Sequence, residues 1–169
     1  MTALRNVRVL TRYSAWASLR LYNALAKLPA TLLAEARSGR PNGVIGILSH
    51  SYAVDLIWKA HLEGKEHGFT SRNFGTIPSF AELRSAQQQA DQWYIAYADN
   101  QDEQSLEQVI PFKFVDGGPG SMRRGDILLH IINHKTYHRG YVADMLYELG
   151  FAPPTIDLPV FLRDEPPEL

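Results

Sequence analysis

The chain has 169 residues, a formal net charge of −1 and 45% hydrophobic residues. These values are typical of a single globular domain. The near-neutral charge argues against a nucleic-acid partner, and no apolar run reaches the ~20 residues that a membrane-spanning helix needs. Because cysteine is absent, the protein itself has no disulfide framework, cysteine-based zinc site or thiol nucleophile, and we expect a cytoplasmic location.

The first half of the chain predicts two long helices. Apolar residues at three- and four-residue spacing make one face of the first, over about residues 4–28, and Pro29 ends it. A turn cluster follows at 38–43, and the second helix runs over about residues 43–63. His50 lies in its middle among apolar side chains, where an imidazole without a hydrogen-bond partner is costly.

A third helix is predicted after a polar, glycine-rich loop over residues 64–78. Ser79 and Glu82 fit a capping box at its start, and it extends to about Asn100. One side of this helix is polar, which predicts that this side faces solvent. That polar side includes Arg84, Gln87, Gln88 and Asp91.

The last part of the chain predicts a short extended excursion and then a fourth long helix. Residues 109–115 alternate and are rich in β-formers, while Pro111 confines them to a sheet edge. A tight turn at 116–120 predicts a hairpin or a simple extension, and the last helix covers about residues 121–149.

These elements predict an all-α fold, a four-helix bundle with a short extended or hairpin excursion before its last helix. We expect the bundle domain to span residues 1–152. Residues 153–169 are rich in proline, which favours an extended C-terminal segment that packs on the bundle or trails from it.

Three of the six histidines, His130, His134 and His138, fall four residues apart on the last helix. Side chains at this spacing lie one turn apart on the same side of a helix, so two of these imidazoles can hold one metal ion. The glutamate of the H-E-x-x-H protease motif is absent, because Lys135 and Thr136 follow His134. A further ligand must come from another part of the chain.

Three blocks of the sequence share a pattern with one known family. Residues 10–21 contain Tyr-x-x-Trp-Ala-x-x-Arg, residues 47–58 carry a histidine followed by Asp and Trp, and residues 130–140 read His-x-x-Asn-His-x-x-x-His-Arg-Gly. Together they resemble the DinB/YfiT-like family of metal-binding four-helix bundles, over nearly the whole chain. By that resemblance the metal ligands are His50, His134 and His138.

Two positions depart from the family pattern: Tyr137 stands where the family often has histidine, and Tyr141 where it commonly has glutamine. Neither change removes a ligand, but Tyr141 lies one turn past His138 and alters the pocket. An i, i+4, i+8 set drifts ~80° round a helix, and the family uses the later two histidines. We therefore expect His130 either to lie in the core or to orient one of the metal-binding histidines. The remaining histidines, expected at the surface or in a loop, are His61 and His67.

Three neutral imidazoles favour a divalent transition metal, with Zn or Ni as the expected ion. Three protein ligands leave a coordination position open, which is typical of catalytic rather than structural sites. The resemblance implies a metal-dependent hydrolase or a transferase of low-molecular-weight thiols, acting on a small-molecule substrate, and it implies a homodimer. The alternative is a non-enzymatic metal- or small-ligand-binding module, linked to stress, so whether the chain is an enzyme stays open.

Beyond the metal ligands, the candidate catalytic residues are Tyr141, Arg139 and Asp55. Tyr141 is a proton donor if it opens onto the metal, and Arg139 is either a salt-bridge partner or an anion-binding residue at the pocket rim. Asp55 lies ~140° round the helix from His50, so we expect it to face a neighbouring helix, with Arg20 or Arg139 as its partner. No carboxylate residue stands beside the paired histidines of the last helix, which favours thiol transfer, or a water activated by the metal alone, over protease-like hydrolysis.

Overall fold

The computed structural model describes residues 2–36 and 39–167. Its four long helices are α1 (Ala3–Leu25), α3 (Gly43–Leu62), α4 (Phe80–Asp99) and α6 (Arg124–Glu148). The short helices are α2 (Ala30–Ala34), α5 (Glu103–Leu106) and α7 (Leu158–Asp164). Helix α1 packs on α4 and α6, and α3 packs on the same two helices. The predicted all-α fold with four long helices is confirmed.

The predicted excursion before the last helix is a β-hairpin. Strands β1 (Val109–Lys113) and β2 (Pro119–Arg123) pair in antiparallel fashion, with Phe112 opposite Gly120. The last helix was expected to begin near Ser121, which is wrong, because residues 119–123 form the second strand and α6 begins only at Arg124. The capping box at the start of α4 is confirmed, since Ser79 and Glu82 each bond the other's backbone N–H.

Among the described residues, the two largest apolar clusters of the core lie at opposite ends of the bundle. Where α1 and α6 begin and α3 and α4 end, the cluster includes Val7, Trp58, Leu62, Tyr94, Ile127 and Ile131. At the other end it includes Leu21, Leu25, Val44, Leu48, Leu83, Val142 and Met145. Burial of such side chains is the main stabilising contribution to the fold.

A buried polar group, here called the polar layer, lies between these clusters, midway along the helices. It consists of Asp55 on α3, Gln87 and Asp91 on α4, and Lys135 on α6. The prediction that Gln87 and Asp91 face solvent is wrong, because these side chains are 3% and 6% exposed. The helix does have a polar outer face, but these two positions fall on its inner stripe, in line with Leu83, Tyr94 and Ala98.

The C-terminal segment contains a helix, so the expectation that it is extended is wrong for residues 158–164. A proline in the first turn is compatible with helix formation, because the N–H it lacks has no partner there in any case. Phe161 is 3% exposed and packs with Tyr13 and Trp16 of α1. The Tyr13 hydroxyl donates to the Ile156 carbonyl at 3.0 Å. The segment therefore lies against α1.

Candidate metal centre

Three histidines converge where α3 and α6 pack against each other. His50 comes from α3, and His134 and His138 come from successive turns of α6. Their ring centroids are 4.3 to 5.4 Å apart, and one potential ligand atom from each lies within 4.8 Å of the others. Within the described part of the chain, this is the one group of three or more His, Asp or Glu side chains close enough to hold a metal ion.

The ring nitrogens fit a divalent ion. The Nε2 atoms of His134 and His138 are 3.0 Å apart, and two nitrogens bound to a tetrahedral zinc ion would be separated by about 3.3 Å. His50 Nδ1 lies 2.9 Å from the Arg72 carbonyl oxygen and 3.2 Å from Asn73 Oδ1. Because a carbonyl can only accept, Nδ1 carries the proton and the Nε2 lone pair of His50 is free. Ligand imidazoles in metal proteins are commonly oriented in this way.

The other two imidazoles are held by packing. The Nδ1 atoms of His134 and His138 are buried, and neither has a hydrogen-bond partner among the described residues. The His138 ring packs beside the rings of Tyr137 and Tyr141, with centroid separations of 5.2 and 6.0 Å. His50 is thus the one triad member whose orientation is fixed by hydrogen bonds outside the triad.

Burial keeps two of these imidazoles neutral. It lowers the pKa of His134 to about 3, with a further contribution from the neighbouring imidazoles, His138 first. Burial likewise lowers the pKa of His138 to about 4, and His50 adds to the effect. Only a neutral imidazole offers a lone pair to a metal. Both side chains are therefore in the ligand-competent form at neutral pH.

His130 lies beside the triad but outside it. Its ring is 5.0 Å from that of Trp58 and 5.9 Å from that of His134. It is not part of the close group of three, and burial lowers its pKa. His130 therefore packs beside His134 without belonging to the triad.

The remaining two histidines lie at the hairpin end of the bundle. His67 is in a loop, as expected, but the surface position expected for His61 is wrong, because that side chain is 8% exposed. The His61 ring packs against Trp58 and Phe112, at centroid distances of 5.4 and 5.3 Å. The position of His61 near the end of α3 does not indicate, from the sequence alone, that the hairpin covers this side chain.

Tyr141 is the catalytic candidate that the structure places beside the triad. Its hydroxyl shares a hydrogen bond with that of Tyr137, and its ring is 6.0 Å from the His138 ring. The Arg40 guanidinium lies over the ring, 4.5 Å from its centroid. The Tyr141 ring thus lies next to both a cation and a candidate ligand.

Asp55 lies in the polar layer rather than at the metal site. It is 1% exposed, and its Oδ2 lies 3.1 Å from Lys135 Nζ and accepts from Gln87 Nε2 at 2.8 Å. It faces neighbouring helices as expected, but the expected partners, Arg20 or Arg139, are wrong. The cation that pairs with Asp55 is instead Lys135, which follows His134 directly and is 4% exposed.

Arg139 is buried, with 5% of its surface exposed. It donates to the hydroxyls of Ser14 at 3.2 Å and Thr136 at 2.8 Å, and its guanidinium lies 5.6 Å from the Tyr13 ring centroid. This burial places it in the core and not at an exposed pocket rim. Its contacts tie α6 to α1 one residue after His138.

A cavity of ≈ 450 Å³ borders the triad on the side of His50. Its walls come from residues 39–42, the first turns of α3 and residues 73–77. Small-molecule sites in proteins commonly have volumes of about 300–1,000 Å³. The cavity is therefore large enough for a small ligand to approach His50.

Comparison with known proteins agrees with this fold. The model of the DinB family matches residues 2–169. Protein DinB of Bacillus subtilis (strain 168) is 24% identical over 159 residues, which cover 90% of this chain and 91% of that protein. The crystal structure of a DinB-like protein from Bacillus cereus ATCC 10987 superimposes with a TM-score of 0.64 at 18% identity, covering 85% of this chain and 91% of that one. In the part of the chain that the structure describes, no helix is long and apolar enough to cross a membrane. The chain belongs to the DinB family.

Proposed function

We propose that this protein is a metal-dependent enzyme that holds a divalent transition ion, Zn or Ni, through His50, His134 and His138. The observation that carries the proposal is the convergence of three imidazoles, with potential ligand atoms within 4.8 Å of one another, on two packed helices. A set of three protein ligands leaves a coordination position for a substrate, as in catalytic sites.

The metal, when bound, supplies a Lewis acid that polarises a substrate or activates a nucleophile. The chain supplies the remaining requirements. Arg72 orients His50 through its backbone carbonyl, and burial keeps His134 and His138 unprotonated. The adjacent cavity gives a small molecule access to His50.

Between the two reaction types, we propose thiol transfer rather than hydrolysis. Among the described residues, no Asp or Glu belongs to the triad or lines the cavity beside His50. Hydrolysis generally needs a positioned general base, whereas a thiol loses its proton when it binds a metal. Tyr141 is the proposed proton donor, because it packs against His138. Asp55 and Arg139 have no such role in this proposal.

The lack of a carboxylate base fits equally a metal- or small-ligand-binding module without turnover. Reaction of an electrophile such as 1-chloro-2,4-dinitrobenzene with a panel of cellular thiols distinguishes the two. Metal-dependent acceleration that is lost in His138→Ala supports the enzyme. Full metal occupancy without acceleration, and without hydrolysis of activated esters, supports the binding module.

The metal site itself is tested by elemental analysis of protein purified without a histidine tag. We expect about one ion per chain in the wild type, and affinity at least a hundredfold lower in His50→Ala and His138→Ala, because each loses one of three ligands. His67→Ala is the matched control, since His67 lies in the loop and outside the triad, and it should bind metal normally. Full occupancy in both ligand variants would sink the proposed site.

Homodimerisation and a cytoplasmic location complete the proposal. The dimer rests on the resemblance of the sequence to a family whose members often associate through bundle helices. The location rests on the absence of cysteine, since a protein that needs no disulfide suits a reducing compartment.

A further inference from the structure

The cavity beside His50 has a distinctive charge. Among its described lining residues, Arg40 is the one that carries a permanent charge, and none is acidic. Its other polar groups include Asn42, Ser49 and Asn73, and its apolar wall comes from Ile47, Phe74 and Ile77. A divalent ion at the triad would make the same space still more positive.

The Arg40 guanidinium is held in place but not neutralised. It lies 4.5 Å from the centroid of the Tyr141 ring, a cation–π contact that orients a cation without cancelling its charge. None of the described carboxylates lies within ion-pair distance of it. Its N–H groups that do not face the ring are therefore available to an anion.

The aromatic wall of the cavity is also fixed. Phe74 stacks on Tyr52 of α3, with ring centroids 5.8 Å apart, and packs edge-on against Phe69 at 5.6 Å. The neighbouring Asn73 amide oxygen contacts His50 Nδ1 at 3.2 Å. A ligand in this space would thus meet an apolar wall and a cation, with its reactive end toward His50.

We infer that the substrate bound beside the metal carries an anionic group, such as a carboxylate, and that Arg40 binds this group. The inference rests on the proposed function, because it assumes that the ligand reaches the metal at the triad. A charge-assisted hydrogen bond from arginine to a carboxylate adds both affinity and orientation. Arg40 then selects among thiols that differ only in charge.

The test uses the full chain loaded with Co²⁺, whose absorption changes when a thiolate binds. Two probes are titrated without oxygen: 3-mercaptopropionate, which is anionic, and 2-mercaptoethanol, which is neutral. Arg40→Gln should weaken binding of 3-mercaptopropionate about tenfold, the effect of one charge-assisted contact, and leave 2-mercaptoethanol within about twofold. Comparing variant with wild type for each thiol removes the intrinsic difference in their basicity.

Two further variants make the result specific. Arg40→Lys keeps the positive charge but loses the planar guanidinium. It should therefore retain part of the preference for 3-mercaptopropionate over 2-mercaptoethanol. Arg163→Gln is the matched control, because it removes an exposed arginine of α7 that neither lines the cavity nor belongs to the triad. This control should leave the affinities for both thiols unchanged.

The inference is overturned if Arg40→Gln leaves 3-mercaptopropionate binding unchanged or weakens both thiols equally. In either case 2-mercaptoethanol still binds the wild-type metal centre, so the proposed function stands. If the wild-type protein is fully loaded with cobalt and still binds neither thiol, the metal has no coordination position that a thiol can reach. That outcome overturns the proposed thiol transfer together with the inference.

Discussion

The histidine triad and the polar layer both link α3 to α6, and they differ in how their polar atoms are satisfied. In the polar layer, Lys135 bonds to both Asp55 and Asp91, and Gln87 donates to the same two carboxylates. In the triad, neutral imidazoles face one another across 3.0 Å, and two buried Nδ1 atoms have no described partner. The four polar-layer side chains are paired with one another, although the buried Asp55 Oδ1 has no described partner, while the triad presents its ring nitrogens to one another.

This contrast arises within one turn of α6, because His134 and Lys135 are consecutive residues. Successive helical residues point ~100° apart. The first therefore meets His50 on α3, while the second reaches between α3 and α4 to the two aspartates. Burial opposes the charge of Lys135, but the two carboxylates outweigh it and raise its pKa. The polar layer thus stabilises a charged lysine directly behind a site that requires neutral imidazoles.

The largest effect is expected from breaking the polar layer. Lys135→Met leaves two buried carboxylates without their cation, which should lower the free energy of unfolding by about 3–5 kcal/mol. Urea denaturation of the metal-free protein measures this loss. Lys65→Met is the control, because Lys65 is 69% exposed in its pair with Glu63, and its loss should cost less than about 1 kcal/mol.

A second variant shows whether charge is the cause. Adding Asp55→Asn and Asp91→Asn to Lys135→Met removes the uncompensated charges, so it should restore much of the lost stability. If Lys135→Met is no more destabilising than Lys65→Met, the polar layer does not stabilise the fold. An equally unstable triple variant would show that packing, and not charge, explains the loss.

The difference between the two groups also explains what the sequence could reveal. The sequence indicated these three histidines because of their helical spacing, because His50 stood out among apolar neighbours, and because the resemblance to the family selected His134 and His138 over His130. The long helices followed from apolar spacing. Asp55, Gln87, Asp91 and Lys135, in contrast, are common surface residues, and only their shared inner positions mark them.

Helical position is the signal in α4 that marks the two polar residues as buried. Gln87 and Asp91 follow Leu83 at four-residue steps on the stripe that continues to Tyr94. A polar residue in that stripe requires a buried partner, and no local rule identifies the partner, since it comes from α3 or α6. The burial of His61 likewise depends on Phe112 of the distant hairpin.

A further effect is expected from pH, and it comes from the triad. In the folded state the pKa values of His134 and His138 are about 3 and about 4, below the ordinary value of 6.5. At pH values between these and 6.5, the folded state therefore binds fewer protons than the unfolded state. Stability of the metal-free protein should therefore fall as pH decreases from about 6.5 toward 4. Urea denaturation at several pH values measures the slope.

The control for the pH effect is the double variant His134→Gln, His138→Gln. It retains every other titrating group, so its difference from the wild type reports the two imidazoles alone. The variant should lose less stability than the wild type over the same range. Equal slopes in the two proteins would contradict the lowered pKa values of these histidines.

The smallest effect is expected for substitution of His130. This substitution distinguishes a metal ligand from a histidine that only packs beside one. His130→Ala removes an edge-to-face contact with Trp58 at 5.0 Å, and such aromatic pairs contribute about 1 kcal/mol. Stability should fall by about that amount, while metal affinity stays within about twofold of the wild type, because His130 lies outside the close group of three. A loss of metal as large as that in His138→Ala would instead make His130 a ligand.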